Sequence, residues 1–105
     1  MSGPLSAEEI RRGRRWLAAI RTAAQDLGFS EVPYAVARQA DLLPRAFALV
    51  QEHHGATLDD LQVAGLLCRA AAAEVLPGQT VDRMLLAVDR RAGELLLDLE
   101  LGGPL

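Results

Sequence analysis

The side chains equipped for chemistry gather in one short stretch: Glu52, His53 and His54, then Asp59 and Asp60, with Cys68 further on. Imidazoles and carboxylates at such short range could hold a divalent metal. Metal-binding helices, however, space their ligands at i, i+3 or i+4, as in HExxH, so that the ligands share one face. His53 and His54 are adjacent, and adjacent residues on a helix point about 100° apart. The plainer reading is a pair of imidazoles at a helix C-terminus, where a partly protonated ring suits the dipole. A metal site at His53 and His54 is therefore the third and last of the functional readings. Cys68 as a nucleophile would need exposure, a positive neighbour and a base. It stands among Ala64, Ala71 and Ala72 with no histidine spaced to activate it, which marks a small core residue. Neither a GxGxxG, a GxxxxGK[ST] nor a GxSxG motif occurs, so neither catalysis nor a cofactor is expected.

The second chemistry on offer is charge. Every basic residue is Arg, and Lys is absent. Codon usage in a GC-rich bacterial genome accounts for that bias; selection for bidentate contacts to phosphate or carboxylate is the sharper alternative. Bulk charge does not favour the alternative, since the net charge is −3. The distribution is uneven, however. Residues 1–21 carry five arginines against Glu8 and Glu9, whereas the remaining 84 residues carry six against twelve acids. Arg11, Arg14, Arg15 and Arg21 thus form a positive strip that could meet nucleic acid or an acidic protein. A solvated helix face is the ordinary fate of such a strip. The short turn at residues 53–57 has the brevity of a helix-turn-helix. The helix after it opens with Asp59 and Asp60, which would face phosphate with like charge.

These residues need elements to position them, and composition names the kind. Half of the 105 residues are apolar, mostly Ala and Leu, while aromatic residues make up 4%. That is a helix-forming vocabulary. The spacing predicts an all-α, single-domain, compact bundle of four to five short helices spanning 1–105, with residues 1–5 and 102–105 as frayed ends. A first helix is expected from Ala7 to Leu27, opened by a Ser6–Glu9 capping box and closed by Gly28. A second covers 30–43, capped by Ser30. Pro44 breaks the chain, and a third runs to His54 with Phe47 and Val50 inward and Gly55 as its stop. Thr57 caps a fourth helix reaching Val75, whose apolar residues almost encircle it. A helix of that kind is surrounded by neighbours, and it is expected to be the hub of the bundle.

Thr80 caps a fifth helix over 81–99, with Val81, Met84, Leu85, Val88, Ala92, Leu95, Leu96 and Leu99 as its inward seam. Residues 97–101 also alternate as a strand would; a lone strand would require a partner, so helix is preferred. Leu86, Gly93 and Leu97 form a second, narrower apolar stripe on roughly the opposite side.

Five short helices can leave such stripes uncovered, and an uncovered stripe marks an interface. The leading functional expectation is thus a non-enzymatic protein–protein interaction module: an adaptor, a small regulatory subunit or a secretion-type chaperone, able to form a homodimer. Its apolar contact would be Leu86, Gly93 and Leu97, and its charged contact Arg11, Arg14, Arg15 and Arg21. The alternative is a nucleic-acid-binding regulator using the arginine face. Arg14-Arg15 before Trp16-Leu17-Ala18-Ala19-Ile20 has the outline of a twin-arginine leader, but Arg21 cuts the apolar run short. The apolar runs are too short for a membrane span. With one cysteine and no disulfide framework, a cytoplasmic setting is expected.

Overall fold

The computed structural model describes residues 5–70 and 78–101. They form a small all-α bundle of five helices: α1 (Ala7–Asp26), α2 (Tyr34–Gln39), α3 (Leu43–His54), α4 (Leu58–Ala70) and α5 (Val81–Glu100). Helix ends leave backbone groups without intrahelical partners, so the caps show why the elements begin and end where they do. At the start of α1 the Glu9 amide donates to Ser6 Oγ at 3.1 Å and the Ser6 amide donates to Glu9 Oε1 at 2.9 Å, the expected capping box. At its end Gly28 takes φ +82°, and the Phe29 amide donates to the Ala24 carbonyl at 3.0 Å. That left-handed closure folds Phe29 into the core, and it needs a residue without a Cβ.

The second helix is shorter than the expected 30–43, and Ser30 does not cap it. Residues 30–33 serve α5 instead. The Asp82 and Val81 amides donate to the Ser30 and Val32 carbonyls, each at 2.9 Å, and the Tyr34 amide donates to the Gln79 carbonyl at 2.6 Å. Together with Thr80 Oγ1, which accepts from the Arg83 amide at 3.2 Å, the Ser30 and Val32 carbonyls satisfy the first-turn donors of α5. Helix α2 stops at Asp41, which adopts φ 57°, a conformation that Asp tolerates better than most side chains. Pro44 lies in the first turn of α3, and Gly55 closes that helix in the left-handed region as expected. Thr57 opens α4 with a reciprocal box to Asp60 at 3.1 and 2.9 Å. These hydrogen bonds hold the Asp60 carboxyl below its ordinary range, with Arg12 and the Trp16 indole adding to the effect. Helix α5 runs unbroken through Gly93 to Glu100, so 97–101 is no strand.

The hub is α1, not α4. Helices α3, α4 and α5 each pack chiefly against α1 and touch one another much less. Ile10, Gly13, Leu17, Ile20, Ala23 and Ala24 of α1 are all buried. Gly13 explains the closeness of α4: a Cβ placed there would stand 2.4 Å from Leu67 Cδ1 and 3.0 Å from Val63 Cγ1. Among the described residues of α4, one side is covered. Leu61, Val63, Ala64 and Leu67 are buried, while Leu58 and Leu66 are 67% and 39% exposed. The near-complete ring of apolar residues therefore overstates the neighbours of α4. Its expected continuation through Ala71, Ala72 and Ala73 to Val75 lies outside the described residues.

Candidate interaction surface

The arginine strip of α1 is the first candidate, and the structure binds most of it to the protein's own carboxylates. Because α1 and α5 run antiparallel, arginines spaced along α1 meet acids spaced backwards along α5. Arg11 pairs with Glu100. Arg14 donates to both carboxylate oxygens of Asp89 at 2.9 and 3.1 Å. Arg21 does the same with Asp82 at 2.5 and 3.3 Å. Arg12, one position from the strip, reaches Asp60 of α4 at 3.5 Å. The bidentate carboxylates hold Arg14 and Arg21 more firmly protonated than usual. Of the four residues read as a strip facing solvent, Arg15 alone is exposed and makes no ion pair among the described residues. The strip is mainly a ladder that sets the register of α1 against α5, and a fork-shaped guanidinium suits that task.

The apolar stripe of α5 is the second candidate. Leu86 is 45% exposed and Leu97 is 54% exposed. Between them, Gly93 is half-covered by the Arg14 guanidinium, which would lie 3.2–3.3 Å from a Cβ at that position. The stripe is therefore two leucines separated by a flat step of glycine and guanidinium. Leu101, one turn beyond Leu97, extends it and is 76% exposed. Leu99, expected in the inward seam, is also exposed, because the last turns of α5 run past the point where its fully buried residues end at Ala92. The alternation of 97–101 that suggested a strand concealed this extension of the stripe. Arg83, Arg90, Glu94 and Asp98 flank the leucines and are exposed; their spacing was readable beforehand on a helical wheel.

The chemical candidates do not converge. His53 and His54 are exposed on the last turn of α3 and rim a shallow groove with Ala23, Asp26, Leu27 and Leu49. Among the described residues no three His, Cys, Asp or Glu side chains come together as a metal site. Cys68 is partly buried and packs against the core. Burial pushes its thiol up from 9.0 to about 11.

That shift yields a prediction. A thiol with a raised folded-state value contributes stability below pH 9.0, and the contribution is lost as pH rises toward 11. Two units also mean about 100-fold less thiolate near neutral pH. Iodoacetamide at pH 8 is expected to modify Cys68 about 100-fold more slowly in the folded chain than in urea. Equal rates followed by mass spectrometry would contradict the buried setting. No helix among the described residues is long and apolar enough to cross a membrane. Comparison with known proteins finds no matching family model, no matching curated protein and no matching solved structure.

Proposed function

We propose that this chain is a non-enzymatic protein-interaction module, of the adaptor, small regulatory subunit or secretion-chaperone kind, acting in the cytoplasm. Its contact surface is the outer face of α5. The observation that carries the reading is the row of exposed leucines, 86 and 97 on α5 and 101 at its C-cap, on a helix whose opposite side is core. Water-exposed leucines in line on one helix are a standing gain for any partner able to cover them. The reading draws indirect support from the arginines, since a strip already matched by Glu100, Asp89 and Asp82 has little charge left to displace counterions from nucleic acid.

The test is a reconstituted complex. A partner identified from the source organism is purified, and amide exchange is compared in the free and bound chain. Slowed exchange over 83–101, with affinity falling at least tenfold in Leu97→Glu, is the expected result. Protection confined to other helices would remove α5 as the contact. Retention on a DNA or RNA column at low salt, abolished by Arg15→Glu, would move the function to the nucleic-acid class.

A further inference from the structure

We infer that the partner for this face is a second copy of the chain, docked antiparallel along α5. The inference rests on the reading of that face as a contact surface, and it adds the identity of the occupant. The first half of the face carries Arg83 and Arg90, both exposed and without an ion pair among the described residues. Asp82 and Asp89, the acids on that half, are engaged by Arg21 and Arg14. The second half carries exposed Asp98, and Glu94, whose carboxylate Arg91 meets at 3.1 Å. One surface thus holds both members of a match: basic toward its start, acidic toward its end.

A two-fold axis between Arg90 and Gly93 uses that polarity. It sets Leu86 opposite Leu97 of the second copy, and Leu97 opposite its Leu86, the two contacts being about 16 Å apart at 1.5 Å per residue. It brings Arg90 beside Glu94 and Arg83 beside Asp98 of the second copy. The antiparallel arrangement also opposes the helix dipoles favourably, whereas a parallel one sets Arg83 and Arg90 against themselves. Near the centre, Gly93 adds no side chain of its own, and the flat guanidinium of Arg14 that covers it leaves a shallow step facing Arg90 of the second copy. Such a contact is isologous and closes on itself, so it ends at a dimer. One helix about 30 Å long offers an area at the low end of stable interfaces, so the dimer is expected to be weak and reversible.

Sedimentation of the full chain from about 1 to 500 μM, the range that brackets such an affinity, tests it. The wild type is expected to dimerise reversibly, and Leu97→Glu and Leu86→Glu to be monomeric with unchanged circular dichroism. Arg90→Glu places an acid beside Glu94 of the second copy, and Glu94→Arg places a base beside its Arg90. Each alone is expected to weaken the dimer at least tenfold, and an equimolar mixture of the two to restore it as a heterodimer. A wild type that stays monomeric throughout overturns the inference, as does a dimer that survives Leu97→Glu, or a mixture no tighter than its components. If the chain is monomeric while a different protein protects 83–101 from amide exchange, the second copy fails as occupant and the interaction module stands. If a complex leaves 83–101 unprotected, α5 fails as the contact face and the second copy fails with it as its occupant.

Discussion

Gly13→Val is expected to destabilise the fold by about 3 kcal/mol, at the upper end of overpacking costs. The glycine sits mid-helix, where it costs about 1 kcal/mol relative to alanine, so its presence calls for a packing reason. The reason is the approach of α4. A Cβ at position 13 already meets Leu67 Cδ1 at 2.4 Å and Val63 Cγ1 at 3.0 Å. Leu67 is 2% exposed and Val63 is 5% exposed, so neither can swing out into water. Valine adds two further methyl groups to the same space and separates the helices. Alanine adds only the Cβ, and its better helix propensity offsets part of the strain, for a net loss of about 1 kcal/mol. Thermal melts give the ranking, at about 4 °C per kcal/mol or more for a chain of this size. Leu67→Ala in the Gly13→Val background should recover part of the loss, since it opens the space that the valine occupies. A Gly13→Val chain as stable as the wild type would mean that α4 does not press on α1 at this point.

The parts of the fold legible in the sequence were those set by local chemistry. Ser6 with Glu9, Thr57, Thr80, Gly28 and Gly55 all mark helix ends, because caps satisfy backbone groups within a few residues of themselves. What failed was non-local. Ser30 has the credentials of a cap, but the α5 amides take carbonyls of its loop, and nothing in residues 30–43 announces a partner fifty residues away. Asp41 ends α2 in a conformation for which glycine would have been the visible signal. The choice of hub failed for a related reason. An apolar residue count around α4 measures what could be buried, whereas burial depends on which helix the others can approach closely. That information lay in Gly13, a residue that adds nothing to hydrophobic periodicity.

The candidate surface divides in the same way. Leu86 and Leu97 were found from the wheel and are exposed. The arginines were placed on one face of α1, but their partners were not foreseen, because pairing Arg14 with Asp89 or Arg21 with Asp82 requires knowing that α1 and α5 lie antiparallel. The charge asymmetry between the first 21 residues and the rest is therefore an internal complementarity: a basic helix matched to acids on the helices packed against it. Gly93 joins both stories, since the guanidinium that Asp89 holds rests where its side chain would have been.

Ile20→Ala is expected to cost 3–4 kcal/mol, and Leu66→Ala no more than about 0.5 kcal/mol, a contrast that tests which helix organises the bundle. Ile20 has no exposed surface and belongs to the main core cluster. Truncating it removes three carbons from a site walled by helices on several sides, so the surroundings cannot collapse fully and a cavity term adds to the lost burial. Leu66 is 39% exposed on the outer side of α4; alanine there gives up little buried area and gains slightly in helix propensity. Were α4 the hub, the two substitutions would cost similar amounts, because Leu66 would then lie against a neighbour. Chemical denaturation of both variants at constant m-value decides the matter. A loss above about 2 kcal/mol at Leu66 would return the central place to α4, while the expected gap of about 3 kcal/mol assigns it to α1. The same measurement bears on the proposed surface, since α5 can present its outer leucines to a partner only while its inner side is held by α1.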